Sequence, residues 1–342
     1  MTMKNPFGKK VTTAYRAFSF PGHYVWDSAV IYAEGKYHLY SSAWEDRFGF
    51  GHSWLFESAI CHAVADKPEG PYTFESVVLP RRGREYFDGM NTHNTCIRYW
   101  NGKYYLYYFG TTYPDRGGRP IPGTVVQETW NRKRVGVAVA DHPEGPFVRR
   151  DTPLLEPRDP RFFDCTITTN PTVAVLPSGK TYLIYKSRSA ADAPMELGVA
   201  VAEKPDGPFT RLSDEPILRF PGGQQIEDPF LWYDEKRKKF CIIAKDCGCT
   251  DHPENCFTGH WGSGFYAESD DCVHFEIPED PLVYTRDLTY EDGTKSVPCN
   301  LERPSLLFDE TGTPTHLFCA AGDGGAPYTF DGTTYVVCMK LG

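Results

Sequence analysis

The sequence predicts an all-β chain folded as a five-bladed β-propeller, because three short phrases recur along it in a fixed order. No helical periodicity of useful length competes with them. The 342 residues suit one large all-β domain spanning 1–342, with no linker or composition break to divide it. Aromatic residues make up 15% of the chain, beside 31 Gly and 28 Pro, which fits many short strands joined by tight turns.

The first phrase opens each unit. It reads WDSAVIYA from Trp26, HNTCIRYW from His93, NPTVAVLP from Asn170, EDPFLWYD from Glu227 and ERPSLLFD from Glu302. The second follows within about ten residues and reads as a hairpin turn feeding a β-rich strand. Its copies are GKYHLYSSAW from Gly35, GKYYLYYFGT from Gly102, GKTYLIYKSR from Gly179, KKFCIIAKDC from Lys238 and PTHLFCAAGD from Pro314. The third is an alternating strand, an acidic turn and an aromatic that starts another strand. It reads HAVADKPEGPYTF from His62, VAVADHPEGPFVR from Val137 and VAVAEKPDGPFTR from Val199, with a diverged copy, FYAESDDCVHFEI, from Phe265. The repeat of roughly 60 to 75 residues is a little longer than a usual propeller blade. TTYVVCMKL from Thr333 completes the fifth sheet, and TTAYRAFSF from Thr12 is its natural partner.

Net charge and cysteine usage bound the partners. The formal charge is −9 with no long basic run, which argues against nucleic acid and anionic membranes. The first ten residues, MTMKNPFGKK, hold no apolar stretch, so the expectation is a cytoplasmic protein, with secretion left open if a signal has been removed. Eleven cysteines, several inside apolar strand-like runs, read as buried thiols rather than a disulfide framework. Cys247, Cys249 and Cys256 with His252 match no common zinc spacing.

The chemistry is expected at the strand starts, since the first strand of each blade lines a propeller's channel. Aligned, they read Trp26-Asp27-Ser28, His93-Asn94-Thr95, Thr169-Asn170-Pro171, Glu227-Asp228-Pro229 and Glu302-Arg303-Pro304. Every unit puts a polar or charged group at this place, which suggests a convergent polar pocket. Cleavage of a glycosidic bond needs two carboxyl groups flanking a sugar, and Asp27 and Glu227 sit at equivalent places in non-adjacent blades. His93, Asn94 and Asn170 are candidate contacts to sugar hydroxyls. Lys186 and Lys245 fall at matched places after their second strands, as substrate contacts or charge partners. Arg303 is the only cation at a strand start, so it either pairs with Glu302 or Asp228 or meets an anion on the substrate. Trp26, Trp44, Trp54 and Trp261 are candidates for stacking on sugar faces.

These strand starts, the GKYYLYY hairpin and the EGPF turn resemble glycoside hydrolase family 43 and five-bladed relatives such as family 117. The resemblance runs along the whole chain but rests on short motifs. It implies an inverting, exo-acting glycosidase that cleaves a glycosidic bond in a plant or algal oligosaccharide. Asp27 matches the family's base, although Ser28 stands where the family has proline. Glu227 matches the family's acid in its Glu-x-Pro motif. The family's third acid is replaced by Asn170, which cannot raise a neighbour's pKa by charge. Asp228 and Glu302 therefore stand as substitutes for that charge or as alternatives for the acid, and Asp164 is a weaker substitute. The resemblance implies no cofactor beyond a structural calcium ion in some relatives, and no residue cluster here has the spacing of a catalytic metal site. A non-catalytic sugar-binding propeller and another carbohydrate-active enzyme, a phosphorylase or lyase, are the competing readings. The sequence leaves the sugar, the linkage and the oligomeric state open.

Overall fold

The structure, a computed structural model, describes residues 4–7, 11–113, 123–249, 254–324 and 332–342. Five four-stranded sheets carry the chain. Blade one runs His23–Ala33, Lys36–Glu45, Ala59–Ala65, Thr73–Leu79. Blade two runs Asn91–Trp100, Lys103–Thr111, Arg134–Ala140, Val148–Arg149. Blade three runs Thr169–Val175, Thr181–Ser187, Glu196–Ala202, Thr210–Arg211. Blade four runs Gln224–Asp234, Lys239–Cys249, Gly264–Ser269, Phe275–Glu276. In blade five, Asn300–Phe308, Pro314–Gly322 and Thr334–Leu341 are completed by the N-terminal strand Val11–Phe18, which pairs antiparallel with Thr334–Leu341. The sequence expectation for both chain ends is met.

Two elements were not expected from the sequence. Gly123–Trp130 is an α-helix of 8 residues, too short to impose a readable period. Leu288–Thr289 and Lys295–Ser296 form a separate two-stranded hairpin. No helix among the described residues is long and apolar enough to cross a membrane, and none of the cysteines forms a disulfide.

The chain divides into two compact units. One comprises Met1–Leu39, Ala63–Phe74 and Leu218–Gly342; the other comprises Tyr40–His62 and Glu75–Ile217. The strands of blade one are shared between them. In the first unit, blades four and five bury Phe230, Trp232, Ile243, Tyr266, Leu317 and Val337 in one core. In the second, blades two and three bury Tyr105, Tyr107, Val137, Val173, Leu183 and Tyr185. Each such side chain contributes about 1.5–3 kcal/mol when fully buried.

One device repeats in the second unit and explains the glycine in RVGVAVA and ELGVAVA. Tyr108 donates to Asp88 at 2.5 Å, and Tyr185 donates to Asp164 at 2.7 Å. Each phenol ring lies over the glycine of the next strand. A Cβ at Gly136 would meet Tyr108 Cζ at 2.8 Å, and one at Gly198 would meet Tyr185 Cζ at 2.4 Å. Asp164 also takes Arg158 and Arg211, at 2.6 and 2.5 Å. Burial pushes its carboxyl up, but the bonds from Tyr185 and Arg158 and the charge of Arg211 outweigh it and hold the pKa below the usual range. Asp164 is thus engaged in holding blade three together, which leaves no room for the substitute catalytic role considered for it above.

The acidic turns share a further feature. Gly70–Pro71, Gly145–Pro146 and Gly207–Pro208 are all cis peptides. The diverged copy in blade four lacks Gly-Pro and closes differently: Asp271 Oδ1 accepts from the amides of Val273 and His274 at 2.9 and 2.8 Å.

Candidate active site

The five strand starts share one backbone conformation. The middle residue of each aligned triplet has a left-handed φ: Asp27 71°, Asn94 58°, Asn170 49°, Asp228 53° and Arg303 57°. In blades two to five the pairing slips by one residue at this point. Glu227 faces Lys245 while Phe230 faces Ile243, and Glu302 faces Ala320 while Ser305 faces Phe318. The same slip lies between His93 and Cys96 and between Thr169 and Thr172. The extra residue is a β-bulge, which redirects a side chain that a regular strand would alternate. Asp and Asn tolerate left-handed backbone best among residues with a Cβ, which accounts for four of the five choices. Arg303 has no such excuse. A long side chain there costs of order 1–3 kcal/mol and persists only where its surroundings over-determine it.

In the first unit those surroundings are two carboxylates. Arg303 Nε donates to Asp27 Oδ1 at 2.7 Å, and its Nη1 donates to Asp228 Oδ1 at 3.2 Å. Asp27 is 0% exposed, Asp228 5% and Arg303 7%, so the triad is largely out of water. Charge-assisted bonds are strongest there, and loss of one partner is most costly. Ser28, beside Asp27, donates from Oγ to the Arg303 carbonyl at 2.9 Å. Ser305 donates back to the Ser28 carbonyl. These bonds tie the first strands of blades one and five together at the triad.

A second charged pair adjoins it. Lys245, fully buried, donates to Glu302 Oε1, which also accepts from Asn300 Nδ2 at 2.8 Å. Burial pushes the Glu302 carboxyl above the usual glutamate range. The Lys245 ammonium opposes the rise, while the charges of Asp228 and Glu227 add to it. The Lys245 ammonium lies 5.0 Å from the Trp261 ring centroid, and the Arg286 guanidinium lies 5.1 Å from it. Glu227 sits opposite Lys245 in the blade-four ladder and is only half-buried. It is the carboxylic acid of this set that keeps appreciable contact with solvent. Burial drives the Cys247 thiol well up, reinforced first by the charge of Glu227.

The sequence candidates therefore separate. Asp27, Glu227, Asp228, Glu302, Lys245 and Arg303 fall in one buried charged cluster of the first unit. The alternatives left open for Arg303 resolve into ion pairs with Asp27 and Asp228. Lys245 is a charge partner of Glu302. Trp26 is 6% exposed and is buried beside Asp27 on the first strand of blade one. Asn255 donates to Cys249 Sγ at 3.4 Å, and His252 lies outside the described residues.

The second unit holds the other candidates. His93 is buried against Trp54 and Phe109, with ring centroids 5.4 and 5.5 Å away, and its Nδ1 lies 2.9 Å from Ser58 Oγ. Ser58 directs its own proton to the Thr92 carbonyl at 3.0 Å, so Nδ1 of His93 is the donor. The Asn94 amide donates to Ser42 Oγ at 3.2 Å, and the Asn170 side chain accepts from Thr169 Oγ1 at 2.9 Å. Lys186, 8% exposed, faces Thr169 as Lys245 faces Glu227. Trp44 is 2% exposed and serves packing. Sequence reasoning missed Lys133 and Arg188, two largely buried cations set around Trp130. No motif surrounds either residue, and the signal lies only in the folded arrangement.

No protein-family model matches the chain. A β-xylosidase of Xylanibacter ruminicola is 29% identical over 80 residues, which are 22% of this chain and 23% of that protein. The chain thus matches about a quarter of that relative's length. Solved structures are similar over nearly the whole chain. A family 117 glycoside hydrolase of the marine bacterium Zobellia galactanivorans is 18% identical, with a TM-score of 0.64 over 96% of this chain and 89% of that one. An endo-arabinase of Bacteroides thetaiotaomicron is 12% identical, with a TM-score of 0.57 over 98% of each chain. The catalytic domain of a family 62 α-L-arabinofuranosidase of Coprinopsis cinerea is 11% identical, with a TM-score of 0.59 over 97% and 95%. At these identities the likeness establishes the fold, and the five sheets are the blades of a β-propeller.

Proposed function

We propose that the chain is a glycoside hydrolase whose reaction centre is the charged cluster of Asp27, Arg303, Asp228, Glu227 and Glu302. The observation that carries this reading is Arg303, held in a strained backbone conformation by Asp27 and Asp228. Strained, buried, multiply paired groups cluster at reaction centres because a purely structural role seldom requires them. The five-bladed neighbours named above are carbohydrate-active, which raises the prior for the class.

In this reading Asp27 is the general base and deprotonates the attacking water. Arg303 keeps that carboxylate ionised and fixes its orientation. Asp228, on the other arm of the guanidinium, balances the charge and orients Arg303, so it is a positioning residue rather than the acid. Glu227 protonates the leaving oxygen, since it alone combines a place in the cluster with solvent access. The outcome is inversion, with action from a chain end, as the family resemblance implies. Sugar contacts by His93, Asn94, Asn170 and Lys186 of the second unit are a separate proposal. No step requires a cofactor.

A second assignment of the acid has its own support. The raised pKa of Glu302 is what an acid catalyst needs near neutral pH. Against it, Oε1 of Glu302 is already occupied by Lys245 and Asn300.

A screen of aryl glycosides and plant and algal oligosaccharides tests the class. Release of a reducing sugar from at least one of them is expected. Saturable sugar binding with no turnover of any would put the non-catalytic reading in its place.

A further inference from the structure

The second unit contains a group of cations that the proposed reaction does not use. Lys133 is 2% exposed, and its ammonium lies 3.5 Å from the Trp130 ring centroid, with Phe109 and Trp54 at 5.5 and 5.6 Å. Arg188 is 7% exposed, and its guanidinium lies 5.4 Å from the same Trp130 ring. One indole therefore serves two positive charges. Arg188 gives Nη1 to the Ala191 carbonyl, but its Nε–H is buried and finds no acceptor among the described residues. The Trp130 indole N–H is likewise buried and finds none. A buried donor left unsatisfied costs about 1–3 kcal/mol, more on a charged group. Burial also lowers the Arg188 pKa, with only Asp192 opposing it. Among the described residues no carboxylate forms an ion pair with Arg188.

Two unsatisfied N–H donors, one of them on a guanidinium, beside one half-buried indole ask for an anion. A sugar would suit it further, because the Trp130 and Trp54 rings meet edge to face at 5.3 Å and give an apolar wall. We propose that this group binds the single anionic substituent, a carboxylate or a sulfate ester, of an acidic sugar. Arg188 Nε–H and Trp130 Nε1–H donate to its oxygens, and Lys133 adds positive charge beside the same indole. The inference rests on the carbohydrate reading above and narrows its ligand class to acidic sugars.

The test uses the full chain and measures thermal stabilisation and calorimetric binding at fixed ionic strength. The probes are D-galacturonate, D-galactose 6-sulfate and neutral D-galactose. At least one acidic probe is expected to bind and to raise Tm, and galactose is expected to do neither. Galacturonate or the sulfate acting alone identifies which anion the site takes. Arg188→Met should weaken acidic-probe binding about tenfold or more, the loss of one charge-assisted hydrogen bond. Arg188→Lys keeps the charge without the Nε donor and should fall between. If Arg188→Met does not fold, Arg188→Lys and the wild-type preference for acidic over neutral probes still decide. Equal binding of acidic and neutral sugars, or unchanged binding in a folded Arg188 variant, overturns the proposal. Hydrolysis of neutral oligosaccharides without any response to acidic probes would sink this site alone. Acidic-probe binding without hydrolysis of anything would sink the hydrolase reading alone.

Discussion

Arg303 reaches Asp27 across 2.7 Å from a backbone position that Asp or Asn fills in four of the five blades. The side chain that strains the bulge is the one that neutralises the buried carboxylates. Arg303→Asn would relieve the strain, yet it would leave Asp27 and Asp228 without their cation. Breaking a buried pair costs about 3–5 kcal/mol, more than the strain returns. The variant should therefore unfold at lower urea than wild type and be inactive. Arg303→Lys should recover stability in part but little activity, since an ammonium cannot bridge both carboxylates in one plane. Urea midpoints and turnover of the pair check this, and a stable, active Arg303→Asn would contradict it.

Glu302 gives a pH dependence with a definite sign. Its folded pKa lies above the ordinary 4.5, chiefly through burial. The folded state then holds the proton more tightly than the unfolded chain. Stability from this group is present below pH 4.5 and declines as pH rises through the raised folded value. Wild type should lose stability relative to Glu302→Gln as pH rises above about 4.5. Denaturant melts of both proteins at several pH values read the difference, and the opposite slope would show that Lys245 dominates the pair.

Gly198→Ala should destabilise the second unit. The added methyl would sit 2.4 Å from Tyr185 Cζ, inside a ring already fixed by its bond to Asp164. Overpacking of this kind costs about 1–3 kcal/mol. Gly136→Ala, with 2.8 Å to Tyr108 Cζ, should cost less. Melting temperatures of the two variants order them, and a stability equal to wild type for Gly198→Ala would contradict the packing account.

Much of the fold was legible because each blade repeats its turns and alternation. Gly-Lys hairpins and Gly-Pro turns punctuate the strands, and Val11–Phe18 pairs where the strand count required a partner. The aligned triplets also fell in register, since Asp27, Asn94, Asn170, Asp228 and Arg303 are the five left-handed strand-start residues. What the sequence could not supply was pairing. Nothing local says that Arg303 chooses Asp27 and Asp228 while Lys245 takes Glu302, because partners 276, 75 and 57 residues apart meet only through the sheet order. The Trp130 cations were invisible for the same reason. Their short helix carries no period, and Arg188 lies in another blade.

The central claim is the division of labour between Asp27 and Glu227, and a leaving-group comparison tests it most directly. Asp27→Asn and Glu227→Gln are assayed on an oligosaccharide the wild type cleaves and on a matching aryl glycoside with an acidic phenol. Asp27→Asn should lose several orders of magnitude on both, because water activation is needed for each. Glu227→Gln should lose as much on the oligosaccharide but far less on the aryl glycoside, whose leaving group needs no proton. Circular dichroism should show both variants folded. If Glu227→Gln keeps wild-type rates while Glu302→Gln shows the leaving-group dependence, blade five supplies the acid and the assignment made here is wrong.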